Sequence, residues 1–272
     1  MKDSGDSQAP ESPIGVFDSG VGGLTVVRAL RSRLPAEHIV YLGDTARLPY
    51  GTKSSETVIR YTRACTHCLS DYRVKLLVIA CNTASAHALQ TLQDESEIPV
   101  IGVIEPGAFA AAQSSRAGRI GVIGTRGTIE SGAYQHALAR VAPDATILAR
   151  PCPMFVPLAE EGWVTGDVPE RIAREYLGEF RDFGADTMLL ACTHYPLLAD
   201  TIAKVMGPGV RIVDSAEATA DAVKEVLTGL SEANAGGAGT LRCLVSDSPK
   251  RFTETGRAFL GEAIADVAWV DV

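Results

Sequence analysis

Two cysteines, Cys81 and Cys192, stand in near-duplicate surroundings: Val78-Ile79-Ala80-Cys81-Asn82-Thr83 and Leu189-Leu190-Ala191-Cys192-Thr193-His194. Each follows a short apolar run that reads as a buried strand and precedes polar residues able to open a helix. Parallel α/β folds place their chemistry at such strand ends. Amide donors at a helix start stabilise a thiolate and bind carboxylates, so matched thiols point to a paired acid and base. A free thiol, with a pKa of about 8.5, is only a few per cent ionised at neutral pH, so the site must ionise one cysteine and keep the other protonated. A lone cysteine is more simply a small buried hydrophobe; the repetition of the segment favours function.

Other candidates are weighed in the same way. Asp18-Ser19-Gly20-Val21-Gly22-Gly23 looks superficially like a phosphate loop but lacks the Gly-x-x-x-x-Gly-Lys pattern, and its glycines suit tight turns and close helix packing. Asp18, at a strand's carboxyl end, is able to orient a proton carrier or hold an ammonium, and Ser19 to bond a carboxylate. His194 lies two residues from Cys192, within reach to tune a thiol or donate to a carboxylate. Cys65-Thr66-His67-Cys68 has Cys-x-x-Cys spacing but falls inside a predicted helix with no second Cys/His pair, so no metal is expected. His38, His87 and His136 read as surface or core residues, and Glu160 and Glu161 as a solvated helix end.

The elements that must position these residues alternate along the chain. Strands are expected at Ile14–Asp18, Ile39–Leu42, Leu76–Ala80, Val100–Val103, Ile120–Ile123, Ile147–Ala149, Met188–Ala191 and Arg211–Val213, with helices such as Leu24–Leu34 and Glu56–Tyr72 between them. Such a βαβ chain gives an α/β fold with mostly parallel sheets. Ile14-Gly15-Val16-Phe17 recurs as Ile120-Gly121-Val122-Ile123, at an offset close to that of the two cysteines. Two similar, pseudo-twofold-related domains are expected, 1–104 plus 215–272 and 105–214, with the site between them. Glu105-Pro106-Gly107 reads as a hinge, Ser231 to Gly239 as a linker before a last strand and helix, and Met1 to Pro13 as a flexible tail.

Composition limits the partners. The 272 residues are 46% hydrophobic and 21% charged, with a net charge of -8 and no basic stripe, so nucleic acid is not an expected partner. No apolar stretch approaches the roughly 20 residues that cross a bilayer. Six cysteines are too sparse for a disulfide framework and suit a reduced, cytosolic setting. At this point an acid/base enzyme and a two-lobed binding protein for a small acidic ligand both remain open.

Several long segments in order carry a more specific resemblance: Ile14 to Thr25, Gly43 to Gly51, Ala80 to Ser85, Gly102 to Gly107, Gly121 to Thr125 and Cys192 to Leu198. Over residues 13 to 230 the chain resembles the glutamate racemase family of the aspartate/glutamate racemase superfamily. The resemblance implies cofactor-independent interconversion of L- and D-glutamate, supply of D-glutamate for peptidoglycan, and a cytoplasmic homodimer. It implies that Cys81 abstracts the proton from the D-enantiomer, assisted by Asp18, and Cys192 from the L-enantiomer, assisted by His194. Glu160 matches an acidic residue near His194. Substrate contacts would come from Asp18, Ser19, Tyr50, Gly51, Asn82, Thr83, Thr193 and His194. A relative acting on aspartate is the nearest alternative. Ala191 stands where the family commonly has Gly, and its methyl is expected to tighten the pocket.

Overall fold

The computed structural model describes residues 10–272, in two parallel sheets flanked by helices. The first sheet begins with β1 (Ile14–Asp18), α1 (Leu24–Arg33), β2 (Ile39–Gly43), α2 (Ser55–Ser70), β3 (Leu76–Ile79), α3 (Asn82–Glu95) and β4 (Val100–Gly102). Helix α4 (Ile104–Ser114) carries the chain to the second sheet. That sheet runs β5 (Arg119–Gly124), α5 (Arg126–Glu130), α6 (Ala133–Val141), β6 (Thr146–Pro151), α7 (Phe155–Glu160), α8 (Asp167–Phe183), β7 (Thr187–Ala191), α9 (Ala199–Met206) and β8 (Arg211–Asp214). Helix α10 (Ala216–Leu230) then returns to the first sheet, which β9 (Leu241–Val245), α11 (Pro249–Leu260) and β10 (Val267–Trp269) complete.

The strand orders are β10-β9-β2-β1-β3-β4 and β6-β5-β7-β8. Stripped of its two appended strands, the first sheet reads 2-1-3-4, and the second repeats that order with β5 in the place of β1. The sequence echo is thus a repeat of topology. Every residue of β1, β2, β3 and β7 is buried, the near-continuous apolar run expected of parallel strands covered on both faces. Helix α8 shows how a covering helix is specified: Ala173, Leu177 and Phe180 recur on one buried face, and Asp167 and Glu170 in its first turn complement the helix dipole.

Order 2-1-3-4 has its switch point between β1 and β3, where the outgoing connections part and leave a crevice. The β1–β3 pairing aligns Phe17 with Ile79, so two residues further on Ser19 stands level with Cys81. In the second sheet Gly124 pairs with Ala191, which puts Thr125 level with Cys192.

Several expectations need correction. Glu105-Pro106-Gly107, expected as a hinge, forms the first turn of helix α4 at the crossing between the sheets, a position where proline's missing N–H costs nothing. A further strand, β10, pairs beyond β9. Of the expected tail, residues 1–9 lie outside the described residues, whereas the Pro10 and Pro13 carbonyls accept hydrogen bonds from the Lys75 side chain and backbone N–H at 2.5 and 3.0 Å. Within the Ser231–Gly239 segment, Asn234 is tied to Glu37 and Ala36.

Candidate active site

Cys81 stands two residues past the end of β3 and is the N-cap of α3, its sulfur accepting from the Ala84 N–H at 3.5 Å and lying 3.5 Å from Ser19 Oγ. Burial, and then the charge of Asp18, push its thiol up to about 12. Asp18 is fully buried, accepting from the Gly20 N–H at 2.9 Å and from Thr193 Oγ1 at 3.4 Å. Burial raises its carboxyl above the usual range, although the charge of His194 opposes this.

Cys192 follows β7, with Sγ 4.0 Å from His194 Nδ1. His194 Nε2 meets Glu160 Oε1 at 2.9 Å. Burial alone would lower the imidazole, but the hydrogen bonds to Cys192 and Glu160 outweigh it and push His194 up to about 10. Glu160 answers in kind: burial works to raise its carboxyl, and the bond to His194 holds it below its ordinary value. A positive charge therefore sits beside Cys192, whereas a carboxyl sits beside Cys81.

Aromatic packing delivers Glu160 to this point. Phe155 at the start of α7 makes edge contacts with Tyr176 and Tyr195, each at 5.3 Å between ring centroids, and the Tyr195 hydroxyl donates to the Cys152 carbonyl at 2.7 Å. Six residues of helix then fix where Glu160 falls. From the first sheet, Phe259 of α11 packs against the His194 ring at 5.2 Å and 75°.

These side chains line a cleft with about 430 Å³ of empty space, walled by Ser19, Tyr50, Gly51, Cys81, Asn82, Thr83, Glu160, Cys192, Thr193 and His194, among others. Every site residue expected from sequence is in this wall except Asp18, which lies behind it. Tyr50 is placed with its hydroxyl donating to Asp44 at 2.5 Å, so its O–H already has a protein partner. Ala191 departs from expectation: it belongs to the core layer with Ile104, Ala108 and Leu189, because alternation along β7 turns its methyl away from the pocket.

Sequence reasoning missed Thr125 and Thr128. Their hydroxyls lie 2.9 and 3.1 Å from Thr83 Oγ1, forming a cluster across the two sheets. The repeat held the signal, since it aligns Asp18-Ser19 with Gly124-Thr125. Among the described residues no group of three or more His, Cys, Asp or Glu is arranged to hold a metal, and no helix is long and apolar enough to cross a membrane. Cys65 lies inside α2, the helix in which the sequence placed it, and is buried there.

Two thiols at corresponding strand ends of duplicated sheets, facing one cleft, agree with what comparison finds. A family model described as Asp/Glu/Hydantoin racemase matches residues 14–223. The chain belongs to that family of isomerases. Glutamate racemase from Geobacter metallireducens is 51% identical over 97% of this chain and 98% of its own length, and that from Chlorobaculum parvum 46% over 95% and 96%. A crystal structure of Francisella tularensis glutamate racemase in complex with D-glutamate matches with a TM-score of 0.90 at 38% identity, covering 96% of this chain and 98% of that one.

Proposed function

We propose that this protein is a glutamate racemase that interconverts L- and D-glutamate by proton transfer between Cys81, Cys192 and the substrate α-carbon. One observation carries the reading: both sulfurs line one cleft, each at the end of a matching strand, with different charges beside them. In the direction from L to D, Cys192 acts as a thiolate and takes the α-proton. The C–H electron pair passes into the carboxylate-conjugated carbanion. Cys81 then gives its S–H proton to the opposite face, which leaves Cys81 anionic and Cys192 neutral. The reverse sequence converts D to L. Asp18 assists Cys81, and His194, steadied by Glu160, assists Cys192.

The α-proton is weakly acidic, so charge developing on the substrate carboxylate must be met by fixed donors. Ser19, Thr83 and Thr193 supply hydroxyls, Asn82 an amide, and Gly51 and Tyr50 backbone groups. Asp18 and His194 complete the contacts. Closure of the cleft would exclude water, strengthen these contacts and shield the carbanion from solvent protons. The residues meet the two-base requirement without a cofactor.

The domain division that serves this chemistry is 1–104 plus 215–272 against 105–214, with α4 and α10 as the two crossings. The physiological role follows from the product: D-glutamate for peptidoglycan, made in the cytoplasm by a homodimer whose size sedimentation would report. The deciding experiment incubates each enantiomer of glutamate and of aspartate with the enzyme in deuterated water. Exchange at the α-carbon with inversion of glutamate is expected, and its loss in both Cys81→Ser and Cys192→Ser. Binding without exchange would make the protein a binding module instead, and preferential turnover of aspartate would reassign the substrate.

A further inference from the structure

Among the described residues of the cleft wall, Asn82 alone has a buried side-chain atom without a hydrogen-bond partner, its amide Nδ2. Its other end is held. Asn82 Oδ1 accepts from the hydroxyl of Tyr134, on α6, at 2.6 Å. Tyr134 is fully buried in the core under the second sheet, and burial raises its phenol, so the O–H persists as a donor. Helix α4 is cut back to admit that hydroxyl: a Cβ at Gly107 would stand 3.1 Å from it and 3.0 Å from Ser215 Cβ.

An amide reads opposite chemistry through its two ends, NH2 as a donor and oxygen as an acceptor. With Oδ1 tied to Tyr134, the end left over is the donor. A buried N–H without a partner is unfavourable, a penalty relieved when an acceptor arrives. The flipped amide would turn its oxygen towards an incoming carboxylate and repel it. We infer that Tyr134 is a positioning residue, whose hydroxyl holds Asn82 in the orientation that offers Nδ2 to a carboxylate oxygen of the substrate. This rests on the proposed racemase reading, yet the two fail separately: a wild-type enzyme that does not exchange the α-hydrogen of glutamate refutes the function before any variant is made.

The test is a cycle of Tyr134→Phe and Asn82→Ala, alone and combined, read as KM and kcat for both enantiomers. Tyr134→Phe removes one oxygen and should raise KM about tenfold, the loss of one hydrogen bond's worth of orientation, with a smaller effect on kcat. In the Asn82→Ala background the same change should add almost nothing, because the hydroxyl then has no amide to orient. Equal penalties in both backgrounds, or an unchanged KM in Tyr134→Phe, would overturn the inference. Should Tyr134→Phe not fold, Asn82→Asp decides: it keeps an acceptor for Tyr134 but presents oxygen to the cleft, so it should bind glutamate more weakly than Asn82→Ala. Binding as good as Asn82→Ala would overturn the inference as well.

Discussion

His194 Nε2 and Glu160 Oε1, 2.9 Å apart, link the loop after β7 to the last residue of α7 and leave the other imidazole nitrogen facing Cys192. This contact makes the two sides of the cleft electrically unlike. Protonated His194 stands on one side, and on the other burial and Asp18 hold Cys81 as the thiol.

The pH dependence of stability should carry this signature. The folded-state pKa of His194 is raised from 6.5 to about 10, so its contribution is fully present below pH 6.5 and disappears as pH rises through 10. Thermal unfolding of the wild type and of His194→Gln, followed across that window, should converge towards its alkaline end. Parallel curves would show that the imidazole is not charged in the folded chain.

Gly22 marks where the glycine loop of the first sheet touches the second. A Cβ there would lie 2.3 Å from Thr193 Oγ1 and 2.5 Å from His194 Nδ1, so Gly22→Ala must displace both. Displacements of about 1 Å at reacting groups cost on the order of 10²-fold in rate. The expected result is a drop of that order in kcat/KM with a small change in Tm.

Phe259 supplies the aromatic wall against His194. Phe259→Leu keeps the site apolar but gives up an aromatic contact worth about 0.5–1.5 kcal/mol. If His194 serves Cys192, which is base in one direction and acid in the other, kcat/KM should fall by the same factor for L- and D-glutamate. An unchanged kcat/KM would make Phe259 a packing residue only.

Away from the site, Lys75 and Glu37 form an ion pair at 2.7 Å with both side chains essentially buried. Lys75→Met strands the Glu37 carboxylate and should cost about 3–5 kcal/mol in denaturant unfolding. The double variant Lys75→Met, Glu37→Leu should recover much of that loss, because it removes the unpaired charge.

Much of this organisation was legible in the chain. Strand positions followed from apolar runs, and the repeat of Ile14-Gly15-Val16 with the two cysteine segments announced two like halves. What stayed hidden depended on direction in space. Glu160 looks the same in sequence whether it faces water or an imidazole, and only family resemblance singled it out. Tyr134 reads as one more apolar-face residue of an amphipathic helix, since nothing local says that its hydroxyl reaches Asn82. Pro106-Gly107 suggested a break because both residues disfavour helix interiors, yet proline is tolerated in a first turn and the glycine makes room for a neighbour. Val267-Ala268-Trp269 is too short to announce a strand without β9 beside it.

The second sheet is built from one unbroken stretch, Arg119 to Asp214, while the first is assembled from both ends of the chain. During synthesis, which proceeds from the N-terminus, the second sheet is therefore complete while the edge of β2 still waits for β9. Helix α11, which brings Phe259 to His194, is made after every helix of the second sheet. A nascent chain thus holds both thiols and the Glu160–His194 pair before it holds the aromatic ring that packs against that imidazole.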